Sequence, residues 1–370
     1  MLDPIVNFFA RIFHWIGRGI GLVIAWILWP FMALGRWWTR KGWILKSVVA
    51  LIVLAIVALY GYFFYITQFW YGFDPDYVAT YQLEKRTVHP GDTDAASGKC
   101  GTSAIVEVAA DLADFNVNQN RWVPSTLASK LGFFGVPWKN TPFFDNKAAF
   151  QLGVNQVLRR TTVELVDTLG RVRGTSQIDQ DLQDARSSFA YDETLWYVTM
   201  KGFFPAPITP TPTKYREGVQ QLRAFNDNLA SCEATFDPRA DNLLQFFDRV
   251  ASDIGSTSDI LRGQIEASNA GWFDPRADDR FWFAYGQLYA YYGILSAARA
   301  DFADTFEGRN IVRLWNEAAE QLRAALDMQP LIISNGGESA FIMPSHLATM
   351  GFYLLRVRAN ITEMRGILDR

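Results

Sequence analysis

Residues 47–66 read SVVALIVLAIVALYGYFFYI, an uncharged and mostly apolar run within a chain of 370 residues. At a rise of about 1.5 Å per residue, a helix of this length crosses the hydrocarbon core of a bilayer, which is roughly 30 Å thick. The run starts too late and is too long for a secretory signal peptide, and no small-residue cleavage site precedes Trp70. The sequence therefore predicts a transmembrane helix over 47–66 in preference to a buried core helix.

Basic residues flank this segment on one side only. Arg36, Arg40, Lys41 and Lys46 precede it, and the next basic residue along the chain is Lys85. Flanks rich in lysine and arginine stay in the cytoplasm, so the N-terminal flank is predicted to be cytoplasmic. For a bacterial chain, this places the large C-terminal domain in the periplasm, carried by a single-pass anchor in the inner membrane.

The first 46 residues are predicted to form a cytoplasmic or interfacial amphipathic segment, 1–46. Apolar residues between positions 5 and 16 recur at helical spacing, and Arg11 and Arg18 lie on the opposite face. Residues 19–35 are uncharged but interrupted by a proline, so they are either a short second span or a continuation of the surface helix. Under both alternatives the lipid bilayer is a partner of residues 1–73.

The formal net charge of −3 conceals two parts of opposite sign. Residues 1–46 hold six basic side chains and one acidic side chain, which leaves residues 74–370 with 29 basic and 37 acidic side chains out of totals of 35 and 38. An acidic domain excludes a basic nucleic-acid binder, and a hydrophobic content of 49% excludes a disordered chain. No nucleic-acid partner is therefore expected.

The periplasmic part is predicted to be an all-α, multi-helix bundle in two subdomains, 74–204 and 214–370. Between them, alternating prolines favour extended polyproline II, so residues 205–213 are predicted to be a semi-rigid, Pro-rich strap. The helices expected in the first subdomain are Thr102–Asp114, Asn146–Leu169, Ile178–Ala190 and Asp192–Met200.

An identical unit, Asp-Pro-Arg-Ala-Asp, occurs at 237–241 and again at 274–278. An aspartate followed by a proline is typical of a helix start, with the aspartate as N-cap and the proline as first helical residue. Proline suits that position because the N–H that it lacks would have no partner in the first turn. Apolar residues then recur at spacings of three and four, which indicates antiparallel helix packing, and Gly286 and Gly293 would let another backbone approach closely. Two further helices are expected near Asn310–Met328 and Ser345–Leu368.

Two cysteines, Cys100 and Cys232, lie in the predicted periplasmic part, where disulfides persist. A bridge between them would tie the start of the first subdomain to the second, and entropy models give about 4–5 kcal/mol for closing so long a loop. Two unrelated thiols are the alternative.

No pattern of a metal or cofactor site stands out. The three histidines lack HExxH spacing, and neither CxxC nor a G-x-S-x-G elbow occurs, so no metal and no other cofactor is expected. Glu338-Ser339-Ala340-Phe341 resembles the short Glu-Ser segment of lytic transglycosylases, in which a lone glutamate protonates the glycosidic oxygen. The Gly-rich motif that those enzymes carry downstream is absent, which favours an ordinary interhelical loop.

Two groups of residues are candidates for binding. A polar loop with an aromatic anchor is a candidate for a ligand or partner contact, although an exposed connection explains it equally well: Asn116, Asn118, Asn120, Arg121 and Trp122. The arginines of the two repeated units, Arg239 and Arg276, are candidates for pairing with anions. The alternative for these arginines is a local ion pair with the aspartate that ends each unit.

Several segments of the chain resemble a family of uncharacterised proteobacterial inner-membrane proteins catalogued as a domain of unknown function. These segments are the two repeated units, 279–289 (DRFWFAYGQLY) and 155–174 (NQVLRRTTVELVDTLGRVRG). The resemblance covers most of the chain. It implies one N-terminal anchor and a helical extracytoplasmic domain, and it supplies no activity and no catalytic residues.

The hypothesis that follows is a non-enzymatic interaction or scaffold component of the cell envelope, anchored in the inner membrane, with an envelope protein as its partner. The alternative is an enzyme that acts on peptidoglycan or another glycan with Glu338 as general acid. A periplasmic sensor is disfavoured because at most 46 residues lie on the cytoplasmic side, without an output domain.

Overall fold

The structure is a computed structural model that describes isolated positions between 15 and 39 and then residues 42–94, 98–141, 143–171, 178–201, 203–267, 274–337 and 344–370. The chain forms two compact units, residues 1–63 and residues 64–370. The predicted interfacial segment 1–46, including residues 19–35 with their two alternatives of a short span or a surface helix, lies largely outside the described residues.

Helix α1, Trp43–Gln68, contains the predicted span 47–66 and extends beyond it at both ends. Within the described part of the chain, it is the one helix long and apolar enough to cross a membrane. Its large apolar side chains are exposed along most of its length, Leu51 and Leu54 among them. Lipid solvates such a surface favourably, and the helix satisfies its own backbone hydrogen bonds, as a spanning segment must.

The second unit confirms the predicted all-α class, with one two-stranded hairpin added. Its α-helices are α2 (Ala104–Asp114), α3 (Leu127–Leu131), α4 (Asn146–Glu164), α5 (Gln180–Phe189), α6 (Thr211–Ala230), α7 (Ala240–Ala267), α8 (Ala277–Asp301), α9 (Ala303–Gly308), α10 (Val312–Leu326) and α11 (His346–Leu368). Short 3-10 turns lie at Tyr77–Tyr81, Leu83–Lys85 and Trp138–Asn140, and π turns extend α2 and α4 at Phe115–Gln119 and Leu165–Leu169. The hairpin consists of β1 (Val198–Lys201) and β2 (Phe204–Pro207).

The centre of the second unit is the contact between α4 and α8, where two glycines bring the helix backbones together. A Cβ on Gly286 would overlap the carbonyl oxygen of Phe150, and a Cβ on Gly153 would overlap that of Phe283. The predicted close backbone approach at Gly286 is therefore confirmed.

The second predicted glycine contact has a different neighbour. At Gly293, the space that a Cβ would need is taken by side chains, those of Tyr77 and Val108, and not by another backbone. The Tyr77 hydroxyl donates a hydrogen bond to the carbonyl of Tyr289 at 2.8 Å. Because Gly293 has no side chain, the side chain of Tyr77, in the 3-10 turn that follows α1, can pack against α8 at this point.

Helices from both predicted subdomains share one hydrophobic core. Helix α4 precedes the Pro-rich strap and α8 follows it, yet Phe150 of α4 and Tyr289 of α8 have ring centroids 5.4 Å apart. Contacts between α7 and α11 extend the same core. The division at 205–213 into subdomains 74–204 and 214–370 stays a prediction.

The helix predicted for Asp192–Met200 is wrong, because the chain forms strand β1 from Val198 instead. β-branched and aromatic residues around Val198 fit a pleated strand better than a helix. In the segment that was expected to be polyproline II, residues 204–207 form strand β2, and α6 begins at Thr211. Prolines are compatible with both elements, since an edge strand and a first helical turn each tolerate a missing N–H.

Both repeated units precede a helix, as predicted. Helices α7 and α8 begin at Ala240 and Ala277, three residues after Asp237 and Asp274. The Asp274 carboxylate accepts the backbone N–H of Arg276 at 3.1 Å, and its carbonyl accepts that of Ala277 at 3.0 Å. The aspartate and proline therefore form the turn that starts the helix, and the regular helix follows that turn.

Candidate interaction surface

The β-hairpin of the second unit exposes several large apolar side chains. Its strands pair antiparallel, with Val198 opposite Pro207 and Lys201 opposite Phe204. Below the strands, the N–H of Ile208 donates to the carbonyl of Tyr197 at 3.1 Å, which extends the ladder toward the helical body.

Thr211 fixes the base of the hairpin to the rest of the domain. Its hydroxyl donates to the carbonyl of Asp192 at 2.6 Å and accepts the N–H of Leu195 at 3.1 Å, and its own N–H donates to the Leu195 carbonyl. Because Thr211 is buried and also begins α6, these bonds hold the two ends of the hairpin together on a rigid element.

The tip of the hairpin carries large apolar side chains into solvent. Phe203 is 96% exposed and Phe204 is 78% exposed, and Tyr197, Val198 and Met200 are also exposed. Val198 and Met200 lie on one face of the hairpin and Phe204 on the other, so apolar side chains are exposed on both faces. Several large exposed apolar side chains on one short element indicate a contact with a protein, a membrane or a ligand. We call Tyr197, Val198, Met200, Phe203 and Phe204 the apolar hairpin surface.

The outer edge of β2 has few backbone N–H groups with which an added strand could pair. Pro205 and Pro207 have no N–H to donate, so they weaken strand addition along β2. Recognition through the aromatic and aliphatic side chains therefore fits this element better than backbone pairing.

A cluster of three carboxyl groups lies where α4 and α8 begin. Asp145 precedes α4, and Asp278 and Asp279 lie in the first turn of α8. Asp145 and Asp278 are each 4% exposed. Among the described residues, no N–H or hydroxyl group donates to either carboxyl oxygen of Asp145 or to one of the two of Asp278, but the carboxyl groups of Asp145 and Asp279 lie within hydrogen-bond reach of each other.

Burial and mutual repulsion favour the neutral form of these carboxyl groups. Burial, with the nearby charges of Asp279 and Asp278, raises the pKa of Asp145 well above its usual range. Burial and the charge of Asp279 raise the pKa of Asp278 to about 7. Burial also raises the pKa of Asp279, against an opposing effect of Arg280 and Lys139. The raised pKa values thus favour protonated carboxyl groups at Asp145 and Asp278, which are both buried, while Asp279 is half-buried.

A cavity of about 780 Å³ lies between the 3-10 turns that follow α1 and helices α8 and α10. Ion pairs line it: Arg323 lies 2.7 Å from Asp76, and Arg299 lies 3.2 Å from Glu84. Gln82 at its rim has a φ of 46°, in the left-handed region. The volume suits a small ligand, and apolar side chains such as Leu83 and Trp315 share the lining with the charged ones.

The polar loop predicted to bind a ligand mostly serves the domain's own structure. Asn116, Asn120 and Trp122 are buried, and the Trp122 indole N–H donates to the carbonyl of Glu193 at 2.9 Å. Asn118 and Arg121 are exposed. A binding role for this loop stays a prediction, and it would rest on the two exposed side chains.

The other predicted site residues are separated in the structure. Arg239 lies 2.7 Å from Asp237, the aspartate that begins its own repeated unit, whereas Asp241, the partner considered as the alternative to anion binding, lies farther away at 3.8 Å. Arg276 is exposed. Glu338 lies outside the described residues. Cys100 and Cys232 are joined in a disulfide.

Sequence reasoning missed the apolar hairpin surface, although a local signal was present. Gly202-Phe203 lies between two short runs of apolar residues, which is the pattern of a two-residue hairpin turn.

No group of histidine, cysteine and acidic side chains within the described residues could hold a metal ion.

Comparison with known proteins identifies the family of the chain. The family model described as "Uncharacterized protein conserved in bacteria (DUF2333)" matches residues 38–271 and 264–370, which include α1 and the whole of the second unit. Neither the curated proteins nor the solved structures contain a match. The chain belongs to the DUF2333 family of bacterial proteins.

Proposed function

We propose that this chain is a single-pass inner-membrane protein whose periplasmic domain binds another protein of the cell envelope and catalyses no reaction itself. The observation that carries the proposal is the apolar hairpin surface, above all Phe203, which is 96% exposed. Exposed aromatic residues on a rigid element are typical anchors of protein interfaces, because burying them removes much apolar area from water at a small loss of side-chain freedom.

Three observations support the location. Helix α1 is long and apolar enough to cross a membrane. The four basic residues at 36–46 favour a cytoplasmic N-terminal flank. The disulfide between Cys100 and Cys232 favours an oxidising compartment for the second unit.

The location has a direct test. Alkaline phosphatase fused after Arg370 folds actively only outside the cytoplasm, so we expect an active fusion. A stably expressed but inactive fusion would show that the orientation is reversed.

The buried carboxyl cluster does not favour the alternative of a glycan-cleaving enzyme. Two carboxyl groups with separated pKa values are the usual machinery for that reaction, but Asp145 and Asp278 are enclosed in the domain. Release of muropeptides by the purified protein, abolished in Glu338→Gln, would contradict the proposal and establish the enzymatic alternative.

The binding proposal is tested by comparing variants that remove exposed apolar side chains at two places. Phe203→Ser with Phe204→Ser changes the apolar hairpin surface, whereas Leu331→Ser changes a side chain that is 90% exposed in the connection between α10 and α11. After cross-linking in native membranes, quantitative mass spectrometry should show a protein that is enriched with wild type and with Leu331→Ser but lost with the double variant. Equal recovery from all three would remove the hairpin from the interface.

A further inference from the structure

A second exposed apolar segment lies between α3 and α4. There Phe133 and Val136 exchange two backbone hydrogen bonds, of 2.8 and 3.0 Å, around a two-residue turn. Its central residues, Phe134 and Gly135, have φ values of 49° and 92°. Positive φ at both central positions is the pattern of a type I′ turn, which holds Phe134 at a tight tip.

Phe134 is an unusual residue for that position. Large L-residues rarely adopt positive φ, and the cost is normally offset by burial or by function. Phe134 is 66% exposed, and its ring meets that of the neighbouring Phe133 edge to face at 5.0 Å. Leu131, Val136 and Phe143 are exposed as well. We call residues 131–141 together with Phe143 the apolar loop.

The apolar loop is fixed against the last turn of α1. The Gln68 side-chain amide donates to the carbonyl of Phe143 at 2.8 Å. The ring of Phe144 lies 6.3 Å from that of Phe64 and stacks on that of Phe133 at 5.4 Å. The loop therefore lies beside the end of the apolar helix, where the predicted span reaches the surface of the bilayer.

Aromatic side chains make the end of α1 continuous with the loop. Phe64, Tyr65, Phe69 and Tyr71 are exposed, although all four belong to the compact second unit. Exposed aromatic residues at the end of a spanning helix are characteristic of the headgroup region.

Two exposed lysines, Lys130 and Lys139, lie on either side of the tip of the apolar loop. Each also has an acidic neighbour, Asp192 near Lys130 and Asp279 near Lys139. Lysines beside an apolar loop attract anionic headgroups, and the position of the loop beside the end of α1 favours lipid as its occupant.

We propose that the apolar loop inserts Leu131, Phe134, Val136 and Phe143 into the interface between headgroups and acyl chains of the bilayer that α1 crosses. The domain then has two lipid contacts, a spanning helix and a membrane-interface loop. The proposal rests on the part of the proposed function that places α1 in a membrane.

The test uses the full-length protein in vesicles of phosphatidylethanolamine and phosphatidylglycerol. A cysteine introduced by Phe134→Cys is labelled with an environment-sensitive nitrobenzoxadiazole probe while the native disulfide stays intact. Leu131→Cys is a second probe of the loop, and Leu331→Cys is the exposed control in the same unit. Val57→Cys, within α1, reports on the anchor. Each labelled protein must keep the thermal midpoint of the wild type.

We expect the probes at Phe134 and Leu131 to emit at shorter wavelength than the probe at Leu331. We also expect nitroxide lipids labelled near the headgroup to quench them more strongly than lipids labelled deep in the acyl chain. Emission at both loop positions equal to that at Leu331, or a blue shift without quenching by any nitroxide lipid, would overturn the loop proposal. If deep nitroxides then still quench the probe at Val57, the anchor stands; if they do not, the proposed membrane location fails too.

Discussion

The side chain of Asn120 pairs with the backbone of Tyr71 in both directions. Its Nδ2 donates to the Tyr71 carbonyl at 2.8 Å, and its Oδ1 accepts the Tyr71 N–H at 3.0 Å. The same amide donates to the carbonyl of Phe115 at 3.2 Å. One buried amide thus fixes the chain three residues after α1 to the first long helix of the second unit.

Asn120→Ala is expected to lower the free energy of unfolding by about 2–3 kcal/mol, because it leaves both backbone groups of Tyr71 without their partner. The matched control is Asn118→Ala, since Asn118 is exposed and bonds to Asp114 at 2.7 Å. We expect the control to change stability by less than about 1 kcal/mol. Urea unfolding of the full chain in detergent, followed by tryptophan fluorescence, measures both. Equal effects of the two substitutions would contradict the anchoring role of Asn120.

Gly286→Ala should be strongly destabilising, by about 3 kcal/mol, since the added methyl group meets the rigid backbone of α4 and the helices must separate. Gly263→Ala, in α7, adds the same methyl group where nothing lies within 4 Å. There we expect stabilisation by about 0.5–1 kcal/mol, from helix propensity alone. Opposite signs in thermal unfolding support the close α4–α8 contact, and similar signs argue against it.

Replacing Cys100 and Cys232 together by serine is expected to remove about 2–5 kcal/mol of stability. The wild type treated with reductant should match the double variant, while reductant should leave the double variant unchanged. Intact mass after alkylation counts the thiols directly. Two alkylated cysteines in protein isolated without reductant would contradict the disulfide.

The carboxyl cluster makes stability depend on pH in a defined direction. In the unfolded chain these aspartates ionise near pH 4, at about their ordinary pKa. The folded chain keeps its protons until the pH rises through the raised pKa values, about 7 for Asp278. The stabilising contribution is therefore complete below about pH 4 and is lost as the pH rises through the pKa of Asp278, about 7, and then through that of Asp145, about 9.

Asp145→Asn should remove part of this dependence, because the neutral amide cannot ionise and can still donate to Asp279. We expect the variant to be more stable than the wild type at pH 8, by on the order of 2 kcal/mol, and nearly equal to it at pH 4. Asp259→Asn, on the exposed surface of α7, should change stability by less than about 0.5 kcal/mol at either pH. A wild type that gains stability between pH 4 and pH 8 relative to Asp145→Asn would contradict the raised pKa.

Local patterns predicted the parts of the fold that depend on neighbours in sequence. The repeated Asp-Pro units gave the starts of α7 and α8, and the uncharged run gave α1, because caps and apolar periods act within a few residues. The hairpin was missed because residues 192–200 have no strong helical or alternating period, so that strand pairing decides their structure.

The sites that matter most depend on contacts that sequence spacing does not reveal. Asp145 and Asp278 come together only because α4 and α8 cross, and Asn120 reaches Tyr71 only in the folded unit. The exposure of a side chain likewise cannot be predicted from the residue type. Phe203 is exposed to solvent, whereas Phe225 is fully buried.

The central claim is that the apolar hairpin surface binds an envelope protein. A photo-reactive benzoylphenylalanine at position 203, compared with the same amino acid at position 331, tests it in living cells without disrupting the membrane. We expect a discrete protein adduct that forms on irradiation at position 203 and is absent at position 331. A probe at position 203 that forms no protein adduct, or gives the same products as position 331, would contradict it.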